Sequence, residues 1–132
     1  MILMECVALT GISRWAINDL ISNGIKTMEI RSPYNFLTLL HTSPGDVIFL
    51  TEASAPDIVV GTSGLLATIK AIQVVTHRLI QTGADFYEER EAEAARAQLV
   101  LLGQGRVRSS KGAERGSPLV LVVDEVCYYD AG

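Results

Sequence analysis

Residues 24–31 read Gly24-Ile25-Lys26-Thr27-Met28-Glu29-Ile30-Arg31. Past Lys26 the polar and apolar residues alternate, which is the period of a strand with one buried face. Met28 and Ile30 point to a core; Thr27, Glu29 and Arg31 point away from it. Lys26 falls nominally on the core side, but it sits next to Gly24 at the mouth of the strand, where a long side chain can swing outward. Lys26, Glu29 and Arg31 are therefore read as converging on one cleft. Arginine offers a fork for phosphate or carboxylate, lysine a point charge, and glutamate an acceptor for an amino group, so the ligand is a small anion or a polar planar group. A plain ion pair between Glu29 and Arg31 on a wet sheet surface is the competing reading.

Working outward, residues 4–9 read as a strand and residues 13–22 as a helix. Ser13 is its N-cap, Ile12 and Ile17 are placed for a hydrophobic staple, Ile17, Leu20 and Ile21 form its stripe, and Gly24 ends it. Ser32-Pro33 opens a second, short helix with Phe36, Leu37 and Leu40 as its stripe. Pro44-Gly45 is a turn, and Asp46 leads into the strand Val47-Ile48-Phe49-Leu50. Residues 53–63 read as a loop and 64–75 as a long β-branched strand.

Residues 85–102 read as the longest helix. Asp85 and Glu88 resemble a capping box, and Ala92, Ala95, Leu99 and Leu102 recur at helical spacing. Its first half is acidic, with Asp85, Glu88, Glu89, Glu91 and Glu93 against Arg90 and Arg96. Residues 103–117 read as a glycine-rich loop carrying Arg106, Arg108, Lys111 and Arg115 against Glu114. A final strand spans 119–126. The order β-α-β-α-β-β-α-β, with about five strands, suggests an α+β fold around a small closed sheet.

Composition narrows the class. The chain has 132 residues, 48% of them hydrophobic, 20% charged and only 6% aromatic. It can bury an aliphatic core as one domain without disulfides or metal. A net charge of −4 argues against gripping long nucleic acid over the whole surface, though not against a local basic site. No apolar run reaches the roughly 18 residues of a membrane span, and the N-terminus lacks the marks of a signal peptide. Met4 is a second candidate start. Cys6 and Cys127 read as buried, inert thiols in a reducing cytoplasm. No CxxC, HExxH or metal-ligand cluster occurs, so neither metal nor cofactor is expected.

The eight residues 24–31 match G-x-K-x-x-E-x-R, the signature of the ASCH domain, a member of the PUA-like β-barrel group. The resemblance extends to the helix before the motif, to Gly45-Asp46 opening the next strand, and to the long strand 64–75. It covers roughly residues 1–80 and the final strand, with 84–117 as a helix-plus-loop insertion. The opening Cys6-Val7-Ala8-Leu9-Thr10-Gly11-Ile12-Ser13 also resembles a small archaeal family of unknown function. The ASCH resemblance implies a PUA-like barrel of five or six strands with flanking helices. It also implies an RNA- or nucleotide-binding module, with its cleft between the motif strand, the preceding helix and the barrel rim. Some relatives hydrolyse an acetylated cytidine with a lysine, a threonine three residues on, and a glutamate. Here that threonine position is Glu29, which counts against a threonine nucleophile and leaves a water activated by Glu29.

The resulting expectation is a cytoplasmic binding module for RNA or a modified nucleotide. Lys26 and Arg31 contact the backbone, Glu29 reads a polar edge, and Ser32 offers an anion site at a helix start. Arg106, Arg108 and Lys111 supply nucleic-acid contacts, unless that segment is merely solvated. Two further readings stand beside it. One is a metal-independent amidohydrolase with Glu29 as base and Lys26 at the oxyanion; the other is an assembly subunit with a vestigial site. His41 reads as a helix C-terminal partner, His77-Arg78 as a surface pair or a cleft contributor, and Trp15 as core or a stacking platform.

Overall fold

Serine and glycine set the limits of the first helix. In the computed structural model, which describes residues 3–84, 87–111 and 118–128, α1 spans Arg14–Asn23. Ser13 Oγ accepts the Ala16 N–H at 3.1 Å, and Gly24 closes the helix at φ 74°. The flanking strands are β1 (Leu3–Leu9) and β2 (Ile25–Ile30). Helix α2 (Pro33–Leu40) starts with Ser32 as cap and Pro33 in the first turn. Its inward face differs from the expected stripe. Asn35, Thr38 and Leu39 are buried, whereas Leu37 and Leu40 are more than half exposed. Asn35 causes this rotation: its side chain accepts the Thr10 N–H at 2.9 Å and donates to the Thr10 carbonyl at 2.8 Å. A buried amide that satisfies both main-chain groups of Thr10 outweighs the burial of one more leucine.

The remaining elements are β3 (Val47–Leu50), β4 (Ser63–Thr82), β5 (Tyr87–Lys111) and β6 (Val120–Tyr128), with a short 3-10 turn at Ala55–Asp57. The helix expected over 85–102 and the loop over 103–117 are therefore corrected. Residues 87–111 form a single strand; 85–86 and 112–117, which include Asp85, Glu114 and Arg115, lie outside the described residues. Ala95, Ala97, Leu99, Leu101 and Val107 are buried, while Arg96, Gln98, Gln104, Arg106 and Arg108 are exposed. That is period two, not 3.6. Alanine, leucine, glutamine and arginine favour a helix locally. Here β5 has strands on both edges, β4 on one and β2 then β6 on the other, and the pairing prevails over that preference.

The sheet has six strands in the order β2-β5-β4-β3-β1-β6, and β5 also pairs with β6. Hydrogen bonds thus run in a ring through β1, β3, β4, β5 and β6, a small barrel-like closure with β2 appended. Among the described residues β1 and β3 form the one parallel pair. The α+β class, the strand number and the flanking helices agree with the sequence reading.

Two cores follow from this closure. One lies under the helices and contains Leu9, Leu20, Met28, Ile30, Leu39, Leu50 and Leu99. The other contains Cys6, Ala8, Phe49, Leu66, Val107, Leu121 and Val123. Strand β5 serves both. Its register with β4 skips a residue between Leu101 and Gly103, so Leu102 is a bulge. Leu99 and Leu101 face the first core, and Leu102 and Val107 the second. Burial pushes the Cys6 thiol up to about 12, as expected for an inert core cysteine; the Cys127 side chain is outside the described set.

Gly64 and Gly105 are register partners where β4 and β5 bend together. A Cβ on Gly64 would strike the Leu50 carbonyl oxygen and the Phe49 ring; one on Gly105 would sit 2.5 Å from Val123 Cγ1. Gly105→Ala should cost about 1–3 kcal/mol by overpacking, and Gly64→Ala more, because main chain must move. Urea denaturation of both variants checks this. Stability unchanged in both would mean that the strands do not close at this point.

Candidate ligand-binding site

Strand β2 distributes the motif over its two faces. Lys26 lies on the same side as Met28 and Ile30, toward α1. Its amine donates to Asp19 Oδ2 at 2.5 Å and sits 4.6 Å from the centre of the Trp15 ring. The Lys26 side chain is only 14% exposed. Asp19 and Trp15 are four residues apart on α1, so one helix face supplies both a carboxylate and a π surface to the cation. Lys26 thereby fastens α1 to the sheet. Trp15 is 72% exposed, which corrects its reading as a core residue.

Glu29 lies on the opposite face. Its Oε1 receives Arg31 Nη2 at 3.3 Å and stands 2.7 Å from His77 Nε2, on β4. Arg96 of β5 is its direct neighbour across the strands. The structure thus brings Glu29 and Arg31 together, adds His77, and does not bring Lys26 to them. The sequence carried a signal for the lysine's partner, since Trp15 and Asp19 share a helix face. It carried none for the approach of His77, which is 48 residues from Glu29. Beside this cluster lies a depression of about 240 Å³ lined by Arg31, His77, Ala92, Glu93 and Ala94.

Ser32 caps α2, its hydroxyl accepting the Asn35 N–H at 3.5 Å. His41 ends that helix as expected, with Nδ1 2.8 Å from the Leu37 carbonyl. The cations of β5 divide. Arg108 reaches Asp124 at 3.6 Å and Lys111 reaches Glu5 at 2.5 Å. Arg106 has no ion-pair partner among the described residues and lines a second cleft, of about 260 Å³, between α1 and the sheet. Ile17, Ile21, Leu50 and Leu65 give this cleft an apolar wall; Glu52, Gln104 and Arg106 give it a polar one. Among the described residues no cluster of three or more His, Cys, Asp or Glu is placed to hold a metal, and no helix is long and apolar enough to cross a membrane.

The family described as "Protein of unknown function (DUF473)" matches residues 4–121. This chain belongs to that family. The DUF473 chain is also 35% identical, over 101 residues, to "Uncharacterized protein MJ0105" of Methanocaldococcus jannaschii. The match covers 76% of this chain and 63% of that protein's length. No solved structure matches. The archaeal resemblance of the N-terminal stretch is accordingly one of family.

In this DUF473 chain the hydrogen bond from His77 holds the Glu29 carboxyl below the usual glutamate range; Arg31 adds to the effect, and partial desolvation opposes it. The sign of the stability effect follows. A lowered folded-state value means that Glu29 contributes stability above the unfolded-state value and loses it as the pH falls through the folded one. NMR titration of the carboxyl should find a depressed midpoint in the parent and a return toward the ordinary range in His77→Ala. Glu29→Gln should flatten the acid-side loss of stability. An unchanged midpoint in His77→Ala would contradict the contact.

Proposed function

We propose that this DUF473 chain is a binding module for RNA or a modified nucleotide, akin to the ASCH and PUA-like domains that its motif resembles. The observation that carries the reading is the cleft between α1 and the sheet. An apolar wall formed at its open side by Ile17 and Ile21, and backed by the buried Leu50 and Leu65, accepts the face of a base. Gln104 offers a donor and an acceptor to the base edge, and Arg106, with no ion-pair partner among the described residues, a fork to a phosphate. The fit is to a single nucleotide rather than a duplex, and it agrees with a chain of net charge −4 whose attraction to phosphate must be local.

Within this reading Arg108 and Lys111 extend the basic row along β5, each with a carboxylate partner to displace. Arg31 and Ser32 offer a separate anion contact at the start of α2. Lys26 acts indirectly, by holding the helix that forms one wall. The amidohydrolase reading required Lys26 and Glu29 at one reacting carbonyl, and their separation by the sheet removes its support. The free, buried Cys6 suits the reducing cytoplasm to which we assign the protein.

The test is an amide NMR titration with nucleoside monophosphates and short single-stranded RNA at low salt. Residues 17, 21, 50–52, 63–65 and 104–106 should shift together. Arg106→Ala should weaken binding about tenfold and reduce the slope of log K against log salt by about 0.7, the value for one phosphate contact on a single strand. Ile21→Trp should fill the cleft and abolish binding. Shifts confined to other residues, or none with any of these ligands, would overturn the proposal.

A further inference from the structure

The cluster on the other face of the sheet has a chemistry of its own. An ionised carboxylate only accepts hydrogen bonds. Because Glu29 is held ionised, the 2.7 Å contact requires the proton to be on His77 Nε2. In a neutral imidazole the other nitrogen, Nδ1, then carries a lone pair. Nδ1, joined to Nε2 through Cε1, has no hydrogen-bond partner among the described residues. Ala92 is His77's register partner on β5, so a methyl group faces the ring across the strands. The depression of about 240 Å³ beside it is bounded by that methyl, by Ala94 and by the guanidinium of Arg31. Arg31 is 71% exposed and uses one nitrogen on Glu29, which leaves other N–H groups for an oxyanion. Arg96 and Glu93 complete the charged surroundings of the site.

We infer that His77 is a general base, oriented by Glu29, for the hydrolysis of a small acyl ester bound beside Arg31. Water supplies the nucleophile. Its oxygen forms a bond to the acyl carbon as its proton passes to His77 Nδ1, and the carbonyl electron pair moves onto oxygen, facing the Arg31 guanidinium. The tetrahedral adduct collapses with cleavage of the bond to the leaving alkoxide, which takes the proton back from Nδ1. Carboxylic acid and alcohol are the products, and the imidazole is restored. In this scheme Glu29 is a positioning residue that fixes the tautomer. The site is on the far side of the sheet from the α1 cleft and shares none of that cleft's lining residues, so the ester assay and the cleft titration can fail separately.

The probe is p-nitrophenyl acetate, assayed with the full chain and with free imidazole at the same concentration. The parent should exceed imidazole, and His77→Gln should lose about a hundredfold or more, the usual contribution of general-base catalysis. His41→Gln, at an exposed helix end, should leave the rate unchanged and controls for nonspecific imidazole chemistry. Nitrogen NMR at alkaline pH should find His77 wholly in the Nε2–H tautomer in the parent and a mixture in Glu29→Gln, whose rate should fall about tenfold. A parent rate no greater than that of imidazole or of His77→Gln would overturn the inference, as would an Nδ1–H tautomer in the parent.

Discussion

The pairing of β5 is the constraint on which the rest of the structure depends. This strand bonds to β4 along one edge and to β2 and then β6 along the other. It closes the ring, carries the motif strand, and supplies Gln104 and Arg106 to the helix-side cleft. The bulge at Leu102 makes this possible. One extra residue turns the inward face of the strand from the core under the helices to the core inside the ring. Without it, residues 103–107 would keep the parity of 95–101, and Val107 would leave the second core. The facing glycines Gly64 and Gly105 permit the close approach that the bend requires.

Much of this was legible in the chain, for identifiable reasons. Short polar signals with local geometry read correctly: Ser13 and Gly24 at the ends of α1, Ser32-Pro33 at the start of α2, and Asp46 before the apolar run of β3. So did the alternation of residues 27–31, where Met28 and Ile30 are buried and Thr27, Glu29 and Arg31 exposed. The misreading of β5 came from counting Ala92, Ala95, Leu99 and Leu102 as one helical stripe. Gly103 and Gly105 read as the start of a glycine-rich loop, whereas both are buried in the strand. With them counted as inward residues, every odd position from 95 to 107 is buried, and the bulge only changes which core those positions face. The bulge lies in a run of four aliphatic residues, 99–102, and nothing in such a run says which one is extra.

The site divided for a similar reason. Strand parity puts Lys26 and Glu29 on opposite faces, and the idea that Lys26 swings round the strand's end assumed no better partner on its own side. Asp19 and Trp15 are that partner. Glu29 in turn found His77, which only the fold brings near. The sheet therefore carries an apolar cleft edged by Arg106 on its helix side and a carboxylate–imidazole–guanidinium cluster on the other. A signature read as one site is distributed between holding a helix in place and orienting a histidine.

Closure of the sheet requires residues 95–107 to be a buried strand in its middle. Backbone chemical shifts and amide hydrogen exchange over this segment test that most directly. The account predicts strand-type carbon shifts from Ala95 to Val107, interrupted at Leu102, with amides among the slowest to exchange in the protein. Helical shifts across 92–102, or amides that exchange as fast as those of an open loop across 103–107, would contradict it.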